Sequence, residues 1–183
     1  EIFKSKEILF KDAEIIIWTT TPWTIPGNQA IAFGKKIDYT LIKIISSENP
    51  NLVVKKYILA QQLVKQVLEN SEVIKYEIIK TIKGSELKGI ICYHPLKQQG
   101  FEQKVPLLEA DFVDSNEGSG FVHVAPAYGE DDYYLAKTNN IACVDILNDN
   151  GTYKAGVPFL EGVHVFKADD VIIEKIRLNN KLI

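Results

Sequence analysis

The chain has 183 residues, of which 46% are hydrophobic, 25% charged and 10% aromatic, a composition suited to one globular domain with a substantial core. A chain of this length buries roughly 70% of its unfolded surface, so it needs no metal or disulfide staple. Its 21 basic and 24 acidic residues give a formal charge of −3, which excludes a protein that coats long stretches of nucleic acid but leaves open the capture of one nucleotide or a chain end.

Strand signals dominate the first half. Residues 15–18, Ile-Ile-Ile-Trp, form a β-branched run that predicts a buried strand, and residues 29–33 predict another between Pro26-Gly27 and Gly34. Residues 39–45 and 52–56 predict a hairpin joined by the polar stretch 46–51, which carries Pro50. The clearest helix falls at 58–69, where Ile58, Leu59, Leu63, Val67 and Leu68 follow helical spacing. Residues 73–82, 89–92 and 105–108 predict further short strands, and 117–120 a turn into Phe121-Val122. Helices are predicted over 130–137 and 169–178, the second capped by Asp169 or Asp170. Many short strands, few helices and no regular βα alternation predict an α+β domain: a barrel-like, strongly curved, mostly antiparallel sheet with a few peripheral helices.

Cys92 and Cys143 have no CxxC partner, so neither a typical zinc site nor a disulfide framework is expected, and a reducing cytoplasm is the expected compartment. No apolar run is long enough to span a bilayer, and no charged-then-apolar leader opens the chain. The sequence holds no methionine, even at position 1, and is expected to be a piece of a larger protein.

Two segments differ from ordinary scaffold. In residues 18–28, Trp-Thr-Thr-Thr-Pro-Trp-Thr-Ile-Pro-Gly-Asn, hydroxyl and amide groups crowd the end of a buried strand. Threonine is stiff at its first side-chain torsion and holds its hydroxyl in a fixed direction, while Pro22 and Pro26 stop a regular ladder. The plainer reading is that threonine favours strands and the prolines mark a loop. In residues 118–133, glycines able to approach a ligand lead through an apolar pair to His123, then Pro126, then a helix opened by Asp131 and Asp132. Here the plainer reading is a hydrogen-bonded core histidine and helix-capping acids. His94 and His164 carry no assigned role. No dinucleotide fingerprint, Walker loop, nucleophile elbow or HExxH is present.

WTTTPWTIPGNQAIAFG and GSGFVHVAPAYGEDDY, in that order, resemble the two motifs of the editing domain of isoleucyl-tRNA synthetase, and VPFLEGVHVFKADDVIIEKI is similar to the segment that follows them. The valyl and leucyl relatives carry an arginine after two threonines, where this chain has Thr21-Pro22-Trp23. Ser119, Gly27 and Tyr128 depart from the commoner residues of the pattern.

The resemblance implies that residues 1–183 are a single editing domain without the catalytic and anticodon-binding domains, and that it hydrolyses valyl-tRNA(Ile), with valyl-adenylate as a further candidate substrate. It implies that Asp132 holds the substrate ammonium and that Thr19, Thr20 and Thr21 bind the terminal adenosine and ester. Thr20, Thr21 and Asn28 then orient the attacking water, His123 lines the side-chain pocket and rejects isoleucine, and Trp23 and Tyr128 form its walls. No cofactor is expected in this domain; ATP, magnesium and any zinc belong to other parts of the parent enzyme. The expected partners are the aminoacylated 3′ end of tRNA(Ile), a valyl-adenosine moiety and the rest of the synthetase, with no membrane and a monomeric chain. Three other readings stand beside this one: the editing domain of a sister synthetase, a non-catalytic module binding the tRNA end, and a hydrolase with a covalent Thr or Asp intermediate.

Overall fold

The computed structural model describes residues 9–183; positions 1–8, the place of any leader, lie outside the described residues. The elements that lie wholly among the described residues are, in chain order, β1 (Ala13–Ile15), β2 (Ala30–Phe33), β3 (Asp38–Ser47), β4 (Lys56–Ala60), α1 (Val64–Asn70), β5 (Val73–Lys83), β6 (Ile91–Tyr93), β7 (Lys104–Glu109), β8 (Phe121–Val124), α2 (Glu130–Thr138) and α3 (Ala168–Leu178), joined in places by short 3-10 turns. They form two four-stranded sheets, ordered β1-β4-β3-β5 and β6-β7-β2-β8. The β1–β4 and β2–β7 pairs are parallel, whereas β2–β8, β3–β4, β3–β5 and β6–β7 are antiparallel. The α+β class therefore holds, but the described strands make two open sheets and no closed barrel.

Period-two alternation decides what each face buries. Ile58 and Ala60 of β4, Tyr39 and Leu41 of β3, Ile31 and Phe33 of β2 and Phe121 of β8 meet in a core between the sheets. On the opposite face of the first sheet, Tyr57 and Leu59 pack with Ile42, Ile44 and α1 residues Val64 and Leu68. Ala30 and Ala32 of β2 face the other way too, against Val124, Leu135 of α2 and Ile141.

The helix predicted at 58–69 shrinks to Val64–Asn70, because Ile58–Ala60 completes a strand between β1 and β3. Four consecutive buried residues, Tyr57 to Ala60, belong to a strand covered on both faces, and the run mimics helical spacing. Neither Asp169 nor Asp170 caps α3: its N-cap is Lys167 with no side-chain bond, and Asp169 Oδ1 is buried without a partner.

A fourth cluster lies outside the sheets. Residues 146–176 wrap Ile25 with Leu96, Phe101, Ile146, Tyr153, Leu160, Ile172 and Ile176, and Trp23 and Tyr128 pack against this cluster. It holds the 3-10 turn Pro22–Gly27 in place. Among the described residues, no helix is long and apolar enough to cross a membrane.

Candidate functional site

The two unusual sequence segments become neighbours through one strand pair. β2 and β8 run antiparallel with Ile31 opposite His123 and Ala30 opposite Val124, and Gln29 N donates to Val124 O at 2.9 Å. That register sets Asn28, at the mouth of β2, against the imidazole of His123.

The prolines force the chain between β1 and β2 into the turn Pro22–Gly27, and its threonines bond among themselves. Thr21 N donates to Thr19 Oγ1 at 3.0 Å, the two hydroxyls lie 3.2 Å apart, and Thr24 Oγ1 donates to Thr21 O at 2.8 Å. Thr24 Oγ1 also lies 3.0 Å from His123 Nε2, while Asn28 Nδ2 meets His123 Nδ1 at 2.5 Å. Thr24, Asn28 and His123 are all buried.

Thr24, His123 and Asn28 thus have the outline of a nucleophile, base and orienting group, but the proton count runs the other way. The Asn28 amide nitrogen also donates to Ala30 O at 3.0 Å, which fixes the end of the amide that faces His123. Nδ1 of His123 therefore accepts, Nε2 carries the hydrogen and donates to Thr24, and no lone pair remains to take a proton from threonine. Burial foremost, then the charge His94 would carry, lowers the His123 pKa from 6.5 to about 4, against the opposing influence of the Thr24 backbone. His123 is therefore a buried, neutral imidazole held at both ring nitrogens. This removes the Thr24–His123 pair as the basis for a covalent mechanism.

Asp132 sits in the first turn of α2, yet it does not cap it; the N-cap is Gly129 without a side-chain bond. Instead Asp132 Oδ2 accepts from Ala125 N at 2.8 Å, tying the helix to the end of β8. Its Oδ1 has no hydrogen-bond partner among the described residues. Burial raises its pKa, the Ala125 amide opposes that, and Asp131 adds to it. No hydrogen bond joins Asp132 to the threonines among the described residues. Thr20 is exposed, and no bond among the described residues ties it to the network.

Trp23 and Tyr128 meet edge to face with ring centroids 5.3 Å apart. A Cβ at Gly27 would lie 3.2 Å from Tyr128 Cε2, so the absent side chain at 27 makes room for the ring at 128. The two departures from the motif pattern are one packing event.

Sequence reading missed several supports. His94 is buried, donates from Nε2 to Ile25 O at 2.8 Å, accepts from Leu96 N at Nδ1 (3.0 Å) and stacks on Phe101. Burial lowers its pKa to about 4, against the Ile25 carbonyl. The Tyr-His-Pro sequence around it gave no signal of this. The glycines of the second motif approach protein rather than an open ligand space: at Gly120 (φ +75°) a Cβ would fall 2.3 Å from Ala60 Cβ. Between Gly118 and Gly120, Ser119 Oγ donates to Ile16 O at 2.5 Å, so this hydroxyl ties the turn before β8 to the residue that follows β1.

A cavity of about 790 Å³ opens between the edge strands β1 and β6. Of the sequence-predicted site residues only Asn28 lines it, so it lies apart from the threonine turn and Asp132. Among the described residues no three His, Cys, Asp or Glu side chains cluster as a metal site.

Buried network, aspartate and aromatic pair sit on a scaffold shared with known proteins. A sequence model of the family described as leucyl-tRNA synthetase, editing domain, matches residues 5–166, and the chain belongs to that family. Within it, the chain is 38% identical over 173 residues to the isoleucine–tRNA ligase of Pelagibacter ubique, covering 94% of this chain and 19% of that protein. It is 40% identical over 162 residues to the isoleucine–tRNA ligase of Gluconobacter oxydans, covering 87% and 17%. The chain thus spans less than a fifth of the length of these curated relatives. The fold is similar to that of the P. knowlesi cytosolic leucyl-tRNA synthetase editing domain, with a TM-score of 0.70 at 13% identity over 98% of this chain and 89% of that one.

Proposed function

We propose that this chain is the editing domain of an isoleucyl-tRNA synthetase and hydrolyses valyl-tRNA(Ile), with valyl-adenylate as a further candidate substrate. The observation that carries the reading is Asp132: a carboxylate anchored at one oxygen by Ala125 N, just past the end of the strand that holds His123 beside the threonine turn. A free ammonium next to an ester distinguishes an aminoacyl group from other esters. The second oxygen of Asp132 is the group available to bind it by a charge-assisted hydrogen bond.

Thr19, Thr20 and Thr21 hold the terminal adenosine and ester. Thr20 and Thr21, with Asn28 bracing the turn through His123, orient a water for direct attack. Thr20 suits this role because the residue is exposed and makes no hydrogen bond among the described residues, whereas Thr24 is committed to His123 and Thr21. Catalysis then rests on positioning rather than on a protein nucleophile or base. Trp23, Tyr128 and the neutral face of His123 bound the amino-acid side chain.

A second sieve is needed because one methylene is worth only ~1–3 kcal/mol in a hydrophobic pocket, a general magnitude for which the choice between isoleucine and valine by isoleucyl-tRNA synthetases is itself the standard example. The remaining parts of the parent synthetase, in the cytoplasm, supply ATP chemistry and grip the tRNA body. The net charge of −3 suits a domain that reads one aminoacylated end.

The test is deacylation of valyl-tRNA(Ile) and isoleucyl-tRNA(Ile) by the chain and by its Asp132→Ala variant. Valine should be released and isoleucine spared, and the variant should lose at least about 100-fold in rate, the loss typical of removing one anchoring group in a reacting complex. Undiminished turnover by Asp132→Ala sinks the ammonium anchor. Binding of the charged end without turnover by the wild-type chain favours a binding module instead.

A further inference from the structure

Both aromatic walls of the proposed pocket are fastened by one segment, residues 145–154, that neither motif contains. The Tyr128 hydroxyl donates to Asp145 Oδ1 at 2.9 Å and accepts from Ile146 N at 2.8 Å. Asp145 is in turn held by Leu147 N at 3.1 Å and by Lys154 Nζ, which reaches Oδ2 at 2.7 Å and the Asp145 carbonyl at 3.0 Å. Eight residues after Asp145, Tyr153 donates its hydroxyl to Trp23 O at 2.6 Å. The same short piece of chain therefore fixes the ring of Tyr128 and the backbone of Trp23, whose rings meet edge to face.

A ring held at both its hydroxyl and its edge cannot swing to admit a larger side chain. We propose that Asp145, acting through the Tyr128 hydroxyl, and Tyr153, acting through the Trp23 carbonyl, are positioning residues that set the width of the amino-acid pocket and hence its rejection of isoleucine. This inference rests on the editing reading above. Two further observations agree with it. The Lys154 hydrogen bond foremost keeps the Asp145 carboxyl below the usual range, so it remains an ionised acceptor. Burial foremost raises the Tyr128 phenol, which therefore remains a donor. Gly27 beneath the ring leaves no Cβ that could prop it from the other side.

The experiment measures kcat/KM for valyl- and isoleucyl-tRNA(Ile) with wild type, Tyr128→Phe, Asp145→Ala, Asp145→Asn, Tyr153→Phe and the Tyr128→Phe/Asp145→Ala double variant. Asp145→Ala and Tyr128→Phe should each lower the valine-to-isoleucine ratio by about tenfold, within the range one methylene can supply. The double variant should lose no more than Tyr128→Phe alone, because that change already cuts the bond to Asp145 along with the one from Ile146 N. Asp145→Asn, which keeps an acceptor for Tyr128, should retain most of the ratio. Tyr153→Phe should lower it by a smaller factor. Unchanged ratios in Asp145→Ala, or additive losses in the double variant, overturn the inference while leaving the editing reading intact. A fall in valine turnover with the ratio preserved assigns Asp145 a purely structural role and also overturns it. A wild-type chain that hydrolyses neither ester overturns both.

Discussion

The sheet half and the site half of this molecule are built on different principles. Between the sheets, side chains such as Phe33, Leu41, Ile58 and Phe121 are buried by strand alternation, and the surrounding backbone satisfies itself through ladders. Around the threonine turn, chain with no regular ladder is held by side chains from distant sequence: His94 on Ile25, Tyr153 on Trp23, Asn28 on His123. The first region resists change through volume, the second through individual polar contacts. The site proposed to discriminate one methylene is built in the second way, with its side chains locked by hydrogen bonds from neighbouring elements.

The contrast can be broken at several points. The largest effect of a single substitution belongs to the sheet core. Phe121→Ala should cost about 3–5 kcal/mol of stability by opening a cavity between the sheets. Urea denaturation should show it as a lower midpoint with an unchanged slope; a loss under about 1 kcal/mol would mean that this core collapses freely.

Acid should act next, and through the site half. The unfolded chain protonates histidine near 6.5, whereas folded His94 and His123 do so only near 4. The unfolded state therefore binds more protons in that window, and stability rises with pH across it. It is full above about pH 6.5 and falls as pH drops toward 4, by on the order of 3 kcal/mol per histidine. Asp132 works in the opposite direction, since its raised pKa favours the folded state on protonation. Denaturation midpoints at pH 7 and pH 4.5 should differ in wild type, and replacing His94 by phenylalanine should remove about half of that difference, His123 supplying the rest.

The smallest effect is at Gly27. Adding a methyl there presses on a ring pinned by Asp145 and Ile146, so Gly27→Ala should cost about 1 kcal/mol, the low end of overpacking. The same change made together with Asp145→Ala should cost less, because the ring can then yield. Equal costs in both backgrounds would show that the ring moves regardless of its tether.

Legibility followed the same division. Strands β2, β5 and β7 and helices α2 and α3 were readable because periodicity and breakers are local signals. The region at 58–60 misled because a strand buried on both faces loses its alternation and copies helical spacing. Within the site, motif resemblance brought out Asp132, His123 and the threonines. Their supports stayed hidden: His94, Asp145 and Tyr153 are ordinary residues in sequence, and only contacts spanning 69, 17 and 130 positions give them a purpose. Asn28 and His123 were assigned separate duties, whereas a 95-residue contact makes them one unit.

That last contact also sets an order of events during synthesis. Asn28 leaves the ribosome 95 residues ahead of His123, which at about 5–20 residues per second is a wait of roughly 5–20 s. Until Phe121–Val124 emerges, β2 lacks its antiparallel neighbour and the threonine turn lacks its wall. Asn28 and the threonine turn therefore stay unbraced until 124 of the 183 residues have been made.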